Sequence, residues 1–138
     1  MSSLTAKQLN RITRAIIGAA IRVHKALGPG LLESVYLASL VFELSRAGFS
    51  VETQKAVPVS CGGVRLDCGF RADIIVNGSV VVEVKSIQSL APIHEAQMLT
   101  YLRLSGCTVG LILNFNTPMM KQGIKRVVCG FPEDADTT

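Results

Sequence analysis

The hydrophobic positions at the start of this chain recur with a helical period. In Leu9–Leu27 apolar residues return every three or four positions with basic residues between them, which predicts an amphipathic helix with a basic outer face. Gly28-Pro29-Gly30 ends this helix, because proline cannot continue the hydrogen-bond ladder. A second helix is predicted over Leu32–Ala47 and closes at Gly48. The chain therefore begins with two consecutive helices.

The pattern then changes to β-branched residues in alternation, which is typical of strands. A first strand is predicted within Phe49–Val64, and Cys61-Gly62-Gly63 predicts a turn. Two further strands, Phe70–Val76 and Val80–Lys85, flank Asn77-Gly78. Because Asn-Gly favours the tight turn of a hairpin, these two strands are predicted to pair in antiparallel fashion.

The last part of the chain returns to a helix and then to short apolar runs. Pro92 suits the first turn of a helix that continues over Ile93–Ser105 and ends before Gly106. Val109–Leu113 predicts a strand, and Ile124–Cys129 is compatible with one more. This order of elements predicts an α/β domain with a mixed central sheet flanked by helices.

Composition and length indicate one globular domain. The chain has 138 residues, of which 49% are hydrophobic and 17% charged, so it can bury a substantial core. We expect this domain to span residues 7–131, with flexible termini at 1–6 and 132–138. No apolar run reaches the length of a membrane span and no signal peptide is evident, which favours a cytoplasmic protein without membrane contact. The net charge of +4 is compatible with a polyanionic partner.

The four cysteines form no CxxC pair, and a domain with this much core does not need disulfides. We therefore interpret them as free thiols. A zinc site built on Cys61 and Cys68 would need two further ligands.

Charged residues interrupt the apolar strands of the predicted hairpin. Asp73, Glu83 and Lys85 lie among β-branched residues, and burying a lone carboxylate is costly unless it is paired, protonated or bound to a metal. Side chains two apart on a strand share a face, so Glu83 and Lys85 point the same way. These three residues are therefore predicted to face one polar site.

The register of the hairpin decides whether the two carboxylates meet. If Asn77-Gly78-Ser79 forms a three-residue loop, Val76 pairs with Val80 and Asp73 lies opposite Glu83. A two-residue turn would place Asp73 opposite a valine instead. The site therefore requires a three-residue loop or a bulge.

Two adjacent carboxylates repel each other, and a divalent cation relieves that repulsion. Oxygen ligands suit Mg²⁺ or Mn²⁺, and Lys85 beside such an ion could orient or deprotonate a water that attacks a phosphodiester. The alternative is an ion pair between Asp73 and Lys85 on a solvated face of the sheet. Spacing alone leaves both interpretations open.

Four motifs occur in order along the chain. Gly30–Tyr36 reads GxxExxY, and it is followed by Phe70–Asp73, by Glu83-Val84-Lys85 and by His94–Tyr101. With these motifs the chain resembles the GxxExxY protein family, which in turn resembles the PD-(D/E)XK nuclease superfamily. The likeness covers Leu9–Val128 and implies a restriction-endonuclease-like αβββαβ core with an extra N-terminal helix.

The resemblance implies a metal-dependent nuclease that hydrolyses phosphodiester bonds, with DNA favoured over RNA. Asp73, Glu83 and the backbone carbonyl of Val84 would hold Mg²⁺ or Mn²⁺, and Glu33 would complete the metal site directly or through water. Lys85 would be the catalytic lysine. Position 72 carries alanine where the name of the superfamily has proline, which leaves the ligand at Asp73 intact.

The resemblance also implies a second group of residues that support the site or contact nucleic acid. Gln97 and Tyr101, four residues apart on one helix, resemble the QxxxY element of the RecB-like branch. Tyr36, Arg71 and His94 are the other candidates. Simpler roles are open for several of these residues: a buried aromatic for each tyrosine, a helix cap for Glu33, an ion-pair partner for Arg71 and a surface position for His94.

Two other functions are compatible with the same sequence. One is a catalytically silent module that binds nucleic-acid phosphates through the basic face of the first helix, formed by Arg11, Arg14, Arg22 and Lys25. The other is a protein-interaction subunit that forms a homodimer through apolar surface. An assay of metal-dependent cleavage tests the nuclease, salt-dependent binding tests the silent module, and light scattering tests the homodimer.

Overall fold

The computed structural model describes residues 3–133, without the side chains of residues 67–69. Residues 1–2 and 134–138 of the predicted flexible termini, and the Cys68 thiol considered as a zinc ligand, lie outside the described part. The elements are α1 (Ala6–Leu27), α2 (Glu33–Arg46), β1 (Val51–Cys61), β2 (Val64–Val76), β3 (Val80–Lys85), α3 (Pro92–Ser105), β4 (Val109–Asn114), a short 3-10 helix (Met120–Gly123) and β5 (Ile124–Val128).

The first helix begins three residues before the predicted start. Thr5 and Gln8 form a capping box, in which the Gln8 N–H donates to Thr5 Oγ1 at 3.1 Å and the Thr5 N–H donates to Gln8 Oε1 at 2.8 Å. Ala6 is buried behind this cap. The helix therefore starts one residue before the domain boundary expected at residue 7, and its N-cap lies two residues before it.

The described strands form one sheet in the order β1-β2-β3-β4-β5. Strands β3 and β4 are parallel and the other neighbours are antiparallel, because α3 carries the chain back to the end of the sheet where β3 began. The prediction of a mixed central sheet flanked by helices is thus confirmed. No helix in residues 3–133 combines the length and the apolar character needed to cross a membrane.

The helices divide between the two faces of the sheet. The first core lies under α1 and α2 and includes Val80, Val82 and Val84, whereas the second lies under α3 and includes Val81. Since side chains alternate along a strand, Glu83 and Lys85 share the α3 face with Val81. The topology therefore places the charged residues of β3 on the side of the sheet away from α1.

The hairpin between β2 and β3 has the register that the site requires. Val76 pairs with Val80 across a three-residue loop, which confirms that prediction. Asn77 and Gly78 adopt positive φ angles of 51° and 63° to close this loop, and asparagine and glycine tolerate that conformation best. Continuing the same register places Asp73 opposite Glu83.

Candidate active site

The regular backbone pairing between β2 and β3 ends just before Asp73 and Glu83. The last regular pair joins Ile74 to Val82, and beyond it side chains replace backbone partners. The Asp73 N–H donates to Glu83 Oε2 at 2.9 Å, and the Val84 N–H donates to Asp73 Oδ2 at 2.9 Å. Each carboxylate therefore uses one oxygen to hold the opposite strand, and a side-chain hydrogen bond also links the two groups to each other.

Asp73 is also released from β1 on its other side. Gln54 would be the next partner in the β1–β2 register, yet it does not pair with Asp73 and adopts a positive φ of 50°. Left-handed backbone at a residue other than glycine carries strain, and such strain is found preferentially at functional sites. The carbonyl of Gln54 accepts a hydrogen bond from Arg71 Nη1 at 3.1 Å. Arg71 thus holds the backbone beside the site, and among the described residues it forms no ion pair, which was the simpler alternative for it.

The electrostatics of the carboxylate pair reflect burial and mutual repulsion. Burial, followed by the charge of Asp73, raises the pKa of Glu83 to about 7, and only 8% of Glu83 is exposed. Burial also raises the pKa of Asp73, against the opposing effects of the Val84 N–H and of Lys85. Near neutral pH the pair therefore tends to keep a proton, which a divalent cation would displace.

Lys85 lies within electrostatic reach of both carboxylates without pairing with either. Its positive charge lowers the pKa of Asp73 and of Glu83, but it is not the largest influence on either group. Among the described residues, the ammonium group of Lys85 forms no ion pair. The alternative of an Asp73–Lys85 ion pair on a solvated face is therefore wrong, since the face is buried at Glu83 and the pair is absent there.

Glu33 approaches the site from the first turn of α2. Its Oε2 accepts the Ser86 N–H at 3.1 Å, one residue after Lys85. Its negative charge contributes to the raised pKa of Asp73, so the three carboxylates lie in one neighbourhood. Leu32 is the N-cap and makes no side-chain cap bond, and the Glu33 carboxylate bridges to the end of β3. This contact joins the GxxExxY motif to the end of the strand that carries Glu83 and Lys85.

Tyr36 is buried in the core under α2 and does not line the site. It has no exposed surface, and its ring stacks on Phe115 with centroids 4.5 Å apart. Its hydroxyl donates to the Gly28 carbonyl at 2.5 Å and accepts the Leu31 N–H at 3.0 Å. Tyr36 therefore holds the loop that leads into Glu33, which gives the tyrosine of GxxExxY a supporting role from within the core.

Tyr101 reaches the carboxylate pair from α3. Burial raises the pKa of its hydroxyl, with further contributions from the charges of Glu83 and Asp73, so these groups interact across the α3 face. Its ring stacks on Phe70 of β2 with centroids 4.0 Å apart. Gln97, one turn earlier on the same helix, is exposed to solvent. The structure thus brings Tyr101 to the site and leaves the Gln97 side chain accessible beside it.

His94 occupies the first turn of α3. Its Nδ1 accepts the Ala91 N–H at 2.9 Å, which closes the turn by a side-chain contact, and the residue is half-buried. In the described residues no hydrogen bond or ion pair joins His94 to the carboxylate pair. Its observed role is to begin the helix that carries Gln97 and Tyr101.

Two residues that hold the end of β3 were missed at the sequence level. The Ser86 hydroxyl donates to the Leu31 carbonyl at 2.6 Å, which ties the end of β3 to the loop before Glu33. Asn114 pairs with Lys85 in the parallel register and is only 1% exposed. Its Oδ1 accepts the Ile87 N–H at 3.1 Å, and its Nδ2 donates to the Ile87 carbonyl at 3.1 Å. The sequence signal that could have identified Asn114 is a polar residue at the end of an otherwise apolar strand.

Replacing Asn114 with alanine is expected to lower the free energy of unfolding by about 2–4 kcal/mol, because the N–H groups of Ile87 and Asn116 lose their acceptor and the Ile87 carbonyl loses one of its two donors. Asn116 is the matched control, since it is half-exposed and its side chain gives only one hydrogen bond to the same carbonyl, at 3.2 Å. The change Asn116→Ala should cost about 1 kcal/mol. Urea unfolding of both variants measures the difference, and equal losses would contradict the assigned role of Asn114.

The donor set fits a divalent cation that prefers oxygen. Asp73 and Glu83 present carboxylates side by side in a partly buried place, where their raised pKa values show that negative charge is under-compensated. Within the described residues, no cluster of three or more His, Cys, Asp or Glu side chains is close enough to enclose a metal ion. Two carboxylates with Glu33 further away suit Mg²⁺, which keeps several of its waters, and not a closed zinc site.

Comparison with known proteins agrees with this geometry. A family model described as PD-(D/E)XK nuclease superfamily matches residues 10–127, which run from the second turn of α1 to the penultimate residue of β5. The chain belongs to the PD-(D/E)XK nuclease superfamily, and its fold is restriction-endonuclease-like with an additional N-terminal helix. No curated protein and no solved structure gives a significant match. Members of this superfamily generally use divalent metal ions.

Proposed function

We propose that this protein is a metal-dependent nuclease of the GxxExxY family that hydrolyses phosphodiester bonds in DNA. The observation that supports it most is the carboxylate pair Asp73 and Glu83, released from the neighbouring strand ladders on a buried face with Lys85 in electrostatic reach. A buried pair of carboxyl groups that forms no ion pair among the described residues is typical of a functional site.

The chain's own residues divide the proposed work. Asp73, Glu83 and the Val84 carbonyl would hold Mg²⁺ or Mn²⁺, with Glu33 contributing directly or through water. When bound, the cation would neutralise the carboxylates and offset the charge that develops on the phosphate. Lys85 would position the attacking water, accept its proton or stabilise the developing negative charge.

The α3 side of the site supplies the proposed contacts to nucleic acid. Gln97 is exposed next to Tyr101, whose hydroxyl lies within the field of the carboxylates. Both side chains could donate hydrogen bonds to a phosphate or sugar that lies over the α3 face. With two tyrosines and no tryptophan in the chain, contacts to phosphate are favoured over stacking on bases.

Cleavage assays test this proposal. Purified protein should cut DNA when Mg²⁺ or Mn²⁺ is present and should leave it intact in EDTA. Assays on matched DNA and RNA, each in single-stranded and duplex form, decide the substrate class. If the protein binds Mn²⁺ yet cuts none of these substrates, the catalytically silent alternative on the same fold replaces the nuclease.

A cytoplasmic location is part of the same proposal. Its support is the set of cysteines with free thiols, namely Cys61, Cys107 and Cys129 among the described side chains. Microscopy of a tagged protein would test it directly.

A further inference from the structure

The outer side of α1 carries a row of positively charged residues. Five cations and one glycine follow each other at intervals of three or four residues, which places them on one side of the helix. We call this row the α1 stripe; it consists of Lys7, Arg11, Arg14, Gly18, Arg22 and Lys25. The five cations are exposed, and α1 contains no acidic residue to compensate them. The stripe spans about 27 Å along the helix axis.

The stripe borders a groove between α1 and the end of α2. Three guanidinium-bearing residues, Arg11, Arg14 and Arg22, line this groove of about 320 Å³. A Cβ built at Gly18 would lie 3.6 Å from Arg22 Nη1, an ordinary van der Waals contact, so the Arg22 guanidinium group lies over the helix backbone at this position. In the described residues none of the five stripe cations forms an ion pair.

The α1 stripe and the candidate active site lie on opposite sides of the sheet. α1 packs on the core that contains Val82 and Val84, whereas Glu83 points to the α3 side. The sheet and the full width of α1, about 10–12 Å, separate the two surfaces. A ligand segment bound along the stripe therefore cannot be the segment that lies over Asp73 and Glu83.

We propose that the α1 stripe is a second nucleic-acid-binding surface, which holds the phosphate backbone of a segment other than the one at the candidate active site. Five exposed cations distributed over this length on one side of a helix suit the repeating charge of a phosphodiester chain. An acidic protein fits less well, since tight protein interfaces centre on exposed aromatic or aliphatic anchors. Beside its arginines the groove offers small residues, the half-buried Phe49 and the buried Leu44. The choice of nucleic acid over other polyanions rests on the proposed function.

Binding without metal tests this inference separately from cleavage. The full chain is titrated, in EDTA, against a fluorescein-labelled DNA duplex several times longer than the stripe, and anisotropy is measured at several salt concentrations. The stripe variant carries Arg11→Gln, Arg14→Gln and Arg22→Gln. The control variant carries Lys55→Gln, Arg65→Gln and Lys121→Gln, three exposed cations outside α1. Both variants lose the same formal charge.

The stripe variant should bind the duplex at least about tenfold more weakly, and the slope of log affinity against log salt should fall by about two to three. The control variant should lose far less. Equal losses in both variants, or no loss in the stripe variant with circular dichroism unchanged, would overturn the proposal. So would tighter binding of a labelled polyglutamate peptide than of the duplex by the wild type. Because no step requires metal, a nuclease that fails to cut can still pass this test, and an active nuclease can fail it.

Discussion

Replacing Lys85 with alanine is expected to reduce metal-dependent DNA cleavage by about 10²- to 10⁴-fold, the usual contribution of a positioned acid, base or charge-stabilising group. Lys85 shares the α3 face with Glu83 and is near enough to lower the pKa of both carboxylates. It forms no ion pair with the described residues, so its removal breaks no structural contact of that kind. The loss should therefore appear in turnover with little change in thermal stability.

Lys121→Ala is the control for this experiment, because Lys121 is an exposed lysine on the short 3-10 helix. It should cleave like the wild type. Stabilisation of Lys85→Ala by Mn²⁺ should be retained, since the carboxylates remain in place. Full cleavage by Lys85→Ala would exclude the proposed mechanism, whereas loss of both cleavage and folding would show that Lys85 is structural.

Replacing Glu83 with glutamine is expected to remove a pH-dependent destabilisation of the metal-free protein. The pKa of Glu83 is about 7 in the folded protein against an ordinary value of 4.5. In the folded state Glu83 therefore keeps its proton at pH values where the same side chain of the unfolded chain has lost it. The stability that protonated Glu83 contributes is complete below pH 4.5 and is lost as pH rises through about 7. The full effect amounts to about 3 kcal/mol.

Between pH 5 and pH 8 the wild type should lose about 2–3 kcal/mol more of its free energy of unfolding than Glu83→Gln loses. The glutamine can still accept the Asp73 N–H, so the local hydrogen bond is preserved. Glu52→Gln, an exposed change on β1, should follow the wild type. Urea unfolding across this pH range in EDTA measures the effect, and parallel curves for wild type and Glu83→Gln would contradict it.

The same variant tests the metal site without an activity assay. A ligand present at a hundred times its dissociation constant stabilises the folded state by about 2.7 kcal/mol. Mn²⁺ at pH 8 should raise the unfolding free energy of the wild type and should leave that of Glu83→Gln nearly unchanged. Equal stabilisation of both proteins would place the metal elsewhere.

Much of the fold was predictable because its signals are local. The helical period of α1, the turn at Asn77-Gly78 and the proline at the start of α3 each act within a few residues. The alternation of side chains left two registers for the hairpin, and the three-residue loop in the structure selects the one that brings Asp73 opposite Glu83. The capping box at Thr5 was equally local and was missed, which is why the first helix begins earlier than predicted.

The supporting parts of the site could not be read from local pattern. Ser86 contacts the loop before α2 from 55 positions away in sequence, and Asn114 holds Ile87 from 27 positions away. Neither type of residue is distinctive by itself, since serine and asparagine are common in turns and loops. Tyr36 likewise gained its role only when α2 packed against Phe115.

By itself the sequence determined the order of the elements, the position of Glu83 and Lys85 on one face of their strand, and the positive charge of α1. It left the pairing of Asp73 with Glu83 dependent on the length of the hairpin loop. Only the tertiary structure decided the rest. Burial on the α3 face raises the pKa of Glu83. The regular backbone pairing of β2 with β1 and with β3 is interrupted at Asp73. The sheet separates the α1 stripe from the carboxylate pair. The physical reason is that periodicity fixes which side of its own element a residue faces, whereas solvation and neighbouring charge depend on what packs against that side.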